Sequence, residues 1–201
     1  MAAGDNVETS GDREMAVELK RRRFTIEEFQ RMGASGILDG DERVELIEGE
    51  IVEMTPIGPP HASIVARLNA LFAARLGARA IVWPQNPFVL PGQTSQFQPD
   101  LALLRLRTDF YGRRHPEPAA ALLVIEVMDS SPARDRRVKL PIYARGGVEE
   151  VWLVQAATAT LEVCRSPLGS DFRDRRTLER AASLAPLAFP DLRLSVADIV
   201  G

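Results

Sequence analysis

A single cysteine, Cys164, among 201 residues leaves no partner for an internal disulfide and no pair for a CxxC zinc site. Two histidines, His61 and His115, cannot build a multi-histidine metal centre. Lysine is nearly missing: all but two of the 25 basic residues are arginine, the exceptions being Lys20 and Lys139. No stretch reaches the roughly 18–20 continuous apolar residues of a membrane helix. The opening MAAGDNVETSGDREMAVELKRRR lacks the apolar core of a signal peptide. These absences lead us to expect a cytoplasmic, reducing location and no membrane partner. A net charge of -3 argues against a protein that coats nucleic acid nonspecifically.

What is present suits one globular domain. Hydrophobic residues make up 45% and charged residues 26%, which excludes disorder over most of the chain. Residues 1–20 are polar and aperiodic and read as a flexible tail; 21–201 read as a single domain. The run Lys20-Arg21-Arg22-Arg23 reads as a solvated entry to it.

Local signals outline the elements. Thr25 and Glu28 have capping-box spacing, with Phe24 and Phe29 at the staple positions, for a short helix ending near Gly33. In RVELIEGEIVEM, Glu48-Gly49 suits a tight turn pairing Ile47 with Glu50 and Glu45 with Val52. Glu45 and Glu50 then share a partly apolar face. Ile64, Val65, Leu68, Leu71, Phe72 and Leu76 recur at helical spacing after Pro59-Pro60, with His61 in the first turn and Gly77 at the end. Strands are expected at Ala80–Leu90, Gln98–Leu106 and Ala121–Met128, the last apolar enough to be buried on both faces. A helix from Pro132 to Arg145 has Ser131 as its cap and Gly146-Gly147 as its stop, and Pro141 predicts a kink near Arg137. Strands at Glu150–Gln155 and Thr160–Arg165, a polar loop, and a short helix capped by Ser195 complete a mixed α/β layer fold.

Two acids stand out. Glu126 interrupts the most buried strand, where a carboxylate is costly unless something binds it. Asp100 follows Pro99 near the start of another. If these strands are antiparallel neighbours, alternation puts both acids on one face. Paired carboxylates with a nearby carbonyl suit Mg²⁺. An arginine neutralising a buried acid suits the same pattern, and the residues alone leave both readings open. Lys139 follows on the next helix, one turn beyond Asp135. In so arginine-rich a chain it suggests a task for a compact ammonium, with chance as the plain alternative. Trp83 and Trp152 read as core, and His115 as surface.

The ordered set VELIEGEIVEM, HASIVARL, QPDLALL and LLVIEVMDSSPARDRRVKLPIYARGGVEEVWLV resembles the bacterial Uma-type family of putative restriction endonucleases, of the PD-(D/E)XK nuclease superfamily. The resemblance runs from about Phe24 to the C-terminus. It implies a restriction-endonuclease-like α-β-β-β-α-β core, a mixed sheet flanked by helices, here with an N-terminal β-hairpin. It implies a metal-dependent endonuclease holding Mg²⁺ or Mn²⁺ through Asp100, Glu126 and the Val127 carbonyl. Lys139 stands for the lysine that the superfamily usually carries at the position of Met128. His61 and Glu45 match family positions, with Glu50 a further candidate beside them; Gln155 stands where the family often has an acid. The implied partner is nucleic acid, with DNA favoured, and the superfamily's habit implies a homodimer. Arg105, Arg107, Arg113, Arg114, Arg134 and Arg136 are candidates to track its backbone.

Two function classes remain open at this level. One is the hydrolase. The other is a catalytically silent nuclease-fold binding or assembly module, in which Lys139 and Asp135 form a structural pair. No nucleophile elbow or cofactor loop supports a small-molecule hydrolase. Convergence of Asp100, Glu126 and Lys139 on a cleft open to solvent favours the enzyme; a sealed site favours the module.

Overall fold

A computed structural model describes residues 21–39, 42–129 and 135–201. The expected tail at 1–20, the Ser131 cap, Arg134 and the side chain of Asp135 lie outside the described residues.

Helix α1 (Ile26–Ala34) starts where its capping box predicts: the Glu28 amide donates to Thr25 Oγ1 at 3.2 Å, and the Thr25 amide donates to Glu28 Oε2 at 3.0 Å. Strands β1 (Val44–Ile47) and β2 (Glu50–Glu53) form the expected hairpin, with Glu45 opposite Val52 and Ile47 opposite Glu50. Both turn residues take left-handed φ, 48° at Glu48 and 84° at Gly49, as a two-residue hairpin turn requires. A Cβ on Gly49 would also lie 2.7 Å from Arg23 Cβ. Helix α2 (Pro59–Leu76) carries two prolines in its first turn, where their missing amides cost nothing, and stops at Gly77.

The region after α2 departs from expectation. Ala80–Leu90 is two strands rather than one. β3 (Ile81–Pro84) joins the large sheet, and β4 (Phe88–Leu90) joins a small one. Gln85, at φ 46°, turns the chain between them, and two prolines flank the break. The stretch after Leu90, expected to be only a turn, holds β5 (Ser95–Phe97), which pairs with β4 and β1. Strand β6 is shorter than expected, Leu101–Leu104, and β7 spans Ala121–Met128.

Next, a π-helical turn (Asp135–Lys139) runs into helix α3 (Leu140–Arg145). Pro141 has no amide for the Arg137 carbonyl and its ring crowds that carbonyl, so the irregularity falls where the kink was expected. Strand β8 covers Glu150–Gln155. Strand β9 extends to Leu168, and the presumed polar loop is β10 (Asp171–Leu178). β10 is an edge strand, and edge strands tolerate the charges that made it look like a loop. A ladder of β11 (Ser183–Leu184) and β12 (Leu194–Ser195) precedes helix α4 (Val196–Val200), capped by Ser195 Oγ.

The small sheet has the order β2-β1-β5-β4 and the large one β10-β9-β8-β7-β6-β3. β7 and β8 are parallel and the other neighbours antiparallel, so the sheet is mixed. The α-β-β-β-α-β core is α2-β3-β6-β7-α3-β8. Alternation sorts its side chains into two layers. Leu101, Leu103, Leu123, Ile125 and Val127 pack with Ile64, Leu68 and Phe72 of α2, and with the buried Trp152. Ala102, Leu104, Val124 and Met128 pack with α3 and with Phe88 and Phe97 of the small sheet. No helix among the described residues is long and apolar enough to cross a membrane.

Candidate functional site

Strands β6 and β7 pair with Leu101 opposite Ile125 and Ala102 opposite Val124. Continuing that register one step places Asp100 opposite Glu126. Both acids therefore belong to the face that α3 and the small sheet cover. Two turns of chemistry follow from this position. The elements stacked on that face can deliver charged groups to the acids. The end of the strand pair also leaves a gap that apolar side chains do not fill.

The gap is a cavity of about 50 Å³, lined among others by Glu45, His61, Asp100, Glu126, Val127 and Lys139. A water needs roughly 10–15 Å³ on the same kind of measure, so there is room for a few. The six residues expected at a site thus meet at one place, from β1, α2, the start of β6, β7 and the π-helical turn. Glu45, Glu126 and Lys139 are no more than 4% exposed. Charges so deep must be paired or bound to something.

The pairing is specific. Asp100 Oδ2 accepts from the Val127 amide at 2.8 Å and from His61 Nε2 at 3.0 Å. Gln85 Nε2 lies 3.5 Å from Asp100 Oδ1. Glu126 Oε1 accepts from the Tyr143 hydroxyl at 2.7 Å and has Lys139 Nζ at 3.5 Å. Lys139 Nζ donates to Glu45 Oε1 at 3.0 Å, an oxygen that also accepts from the Gln98 amide at 2.8 Å. The ammonium sits over the Phe97 ring, 5.5 Å from its centroid. Burial pulls the His61 pKa down, but the hydrogen bond and charge of Asp100 outweigh it, and the net shift is upward. Two buried polar atoms have no hydrogen-bond partner among the described residues: Glu45 Oε2 and His61 Nδ1.

Sequence reasoning missed several lining or supporting residues, Arg43, Asp129 and Tyr143 among them. Arg43 and Asp129 line the cavity, each two positions from a residue that had been singled out, Glu45 and Val127. Tyr143 holds Glu126 from one helical turn beyond Lys139. Spacing alone could have found these three. Glu50, by contrast, does not line the cavity: its side chain is half exposed, with Arg23 3.9 Å away. The described arginines expected at an opening do not line it either. Arg107 is tied to Asp109, Arg136 to Glu162, and Arg105 to the Ala119 carbonyl. Arg113 and Arg114 border a separate groove with His115.

The carboxylates around the cavity are ligands that a hard divalent cation takes. The unpartnered Glu45 Oε2 suits such an ion as well. Among the described residues, however, no three His, Cys, Asp or Glu side chains form a group that could hold a metal ion.

Comparisons place the chain among known proteins. The Uma2 family, described as "Putative restriction endonuclease", matches residues 26–197. A crystal structure of a putative nuclease belonging to DUF820, from Anabaena variabilis, is similar with a TM-score of 0.68. The match covers 88% of this chain and 97% of that one at 17% identity, a likeness of fold. No curated protein matches.

Proposed function

The chain belongs to the Uma2 family, and from that premise we propose that its cavity hydrolyses phosphodiester bonds of nucleic acid, with DNA as the favoured substrate. One observation carries the reading: Asp100, Glu126 and Lys139, spread along the chain, line one small polar cavity that also holds a buried carboxylate oxygen without a partner. A core that needed only neutral packing would not gather these groups, because each costs desolvation.

In this reading Asp100, Glu126 and the Val127 carbonyl would hold Mg²⁺ or Mn²⁺, which supplies Lewis acidity toward phosphate and water. Lys139 is held at the cavity by Glu45 and Glu126. From there it orients a water and offsets negative charge that builds on a phosphate. His61 fixes Asp100 through Nε2 and keeps Nδ1 free to accept a proton. Glu45 Oε2 is the acceptor left for a hydrogen bond from water in the cavity.

One observation favours the second reading, a nuclease-fold module without turnover: protein donors already engage Asp100 and Glu126, and among the described residues the acids do not group as metal ligands. The same experiment separates the two. Purified protein is incubated with plasmid, single-stranded DNA and RNA, with Mg²⁺, with Mn²⁺ and with chelator. Cleavage of DNA that requires the metal supports the hydrolase. Intact substrates under every condition overturn it in favour of the module.

A further inference from the structure

The cavity carries four carboxylates, Glu45, Asp100, Glu126 and Asp129, and a polyanion brought against them is repelled. Two of its basic residues are committed to these acids: Lys139 to Glu45 and Glu126, and His61 to Asp100 through Nε2. Arg43 is different. It lies at the entry to β1, two residues before Glu45, and alternation along the strand turns both side chains toward the cavity they line. Its guanidinium has no hydrogen bond or ion pair with any described residue, although the side chain is half-buried.

A half-buried guanidinium without a counter-ion is costly to keep unless an anion arrives. Its planar fork of donors matches two oxygens of a phosphate, a fit that a lysine ammonium lacks. Arg107 is occupied by Asp109 and Arg136 by Glu162; what sets Arg43 apart from the other arginines is that it lines this cavity.

We propose that Arg43 grips a backbone phosphate of the nucleic acid at the mouth of this cavity and so seats the strand against Asp100, Glu126 and Lys139. The inference rests on the hydrolase reading and adds to it the group that recognises the substrate's charge. It also explains how a chain of net charge -3 engages a polyanion: the attraction is local, at one unpaired arginine, rather than spread over the surface.

The test is equilibrium binding, read by fluorescence anisotropy of a labelled DNA duplex with Mg²⁺ over a range of salt. Glu126→Gln serves as the parent, so that the substrate stays intact. Adding Arg43→Gln should weaken binding about tenfold or more, the scale of a lost charge-assisted hydrogen bond. It should also flatten the dependence of log K on log salt by about 0.9, the share of one duplex phosphate contact. Arg43→Lys should recover the slope but not the full affinity. Arg173→Gln, the same charge change at an exposed residue on β10, should alter neither. Unchanged affinity and slope in Arg43→Gln, with the parent binding well, overturn the role of Arg43 and leave the hydrolase reading standing. A wild-type protein that neither binds nor cuts DNA or RNA overturns both.

Discussion

Lys139 Nζ donates to Glu45 Oε1 at 3.0 Å, joining two residues 94 positions apart. One comes from the π-helical turn above the large sheet, the other from the first strand of the small sheet. This ion pair ties the two sheets together over the candidate site. It is buried on both sides, and a third charge, Glu126, shares the ammonium.

Replacing Lys139 by Met should therefore cost about 3–5 kcal/mol, because Glu45 and Glu126 would keep their buried charges without a cation. Urea denaturation in chelator measures it. Adding Glu45→Gln to Lys139→Met should cost less than the sum of the two single changes, since the second removes an acid the first had stranded. Strict additivity would mean the pair is not coupled.

Asp100→Ala and Glu126→Ala should each abolish metal-dependent cleavage of DNA while circular dichroism shows the fold retained. Full activity in either variant refutes the assignment of these acids to the reaction.

Tyr143 donates to Glu126 Oε1 at 2.7 Å inside the core. Tyr143→Phe keeps the ring between Phe88 and Phe97 and deletes only the hydroxyl. It should lower stability by about 1–3 kcal/mol, the cost of leaving a buried acceptor short of a donor. Thermal melting at matched pH reads this, and an unchanged midpoint would show that the hydroxyl contributes nothing.

Cys164 is buried, and burial first, with the charge of Glu162 adding to it, pushes its thiol pKa up from 9.0 to about 12. The native thiol should resist a disulfide reagent at pH 8 and react once the protein is denatured. The sign of the stability effect follows. Between pH 9.0 and about 12 the unfolded chain has lost this proton and the folded chain keeps it, so stability falls as pH rises through that window. Cys164→Ala should lack this part of the alkaline loss.

How much could be read from the residues differs from element to element. The capping box at Thr25, the turn at Glu48-Gly49 and the end of α2 at Gly77 were legible because each rests on contacts between residues a few positions apart. The buried strand Ala121–Met128 was legible because its apolar run has few alternatives. β5 and β10 were not. Ser95–Phe97 follows a Pro-Gly turn and becomes a strand only through partners in β1 and β4. Asp171–Leu178 is charged because it lies at an edge, and no local pattern separates such a strand from a loop. At the site, Asp129 and Tyr143 were passed over although spacing of two and four residues pointed to them.

By itself the chain's order of residues determined that Asp100 and Glu126 lie on a common sheet face if their strands pair, and that Lys139 follows on the next helix. Alternation and helical period act locally, so these consequences need no knowledge of the whole fold. Only the tertiary structure decided that the strands do pair, that Glu45 arrives from another sheet to hold Lys139, and that Arg43 faces the cavity without a partner. Those outcomes depend on how separate layers stack, and the energy that selects one stacking comes from burying side chains distant along the chain.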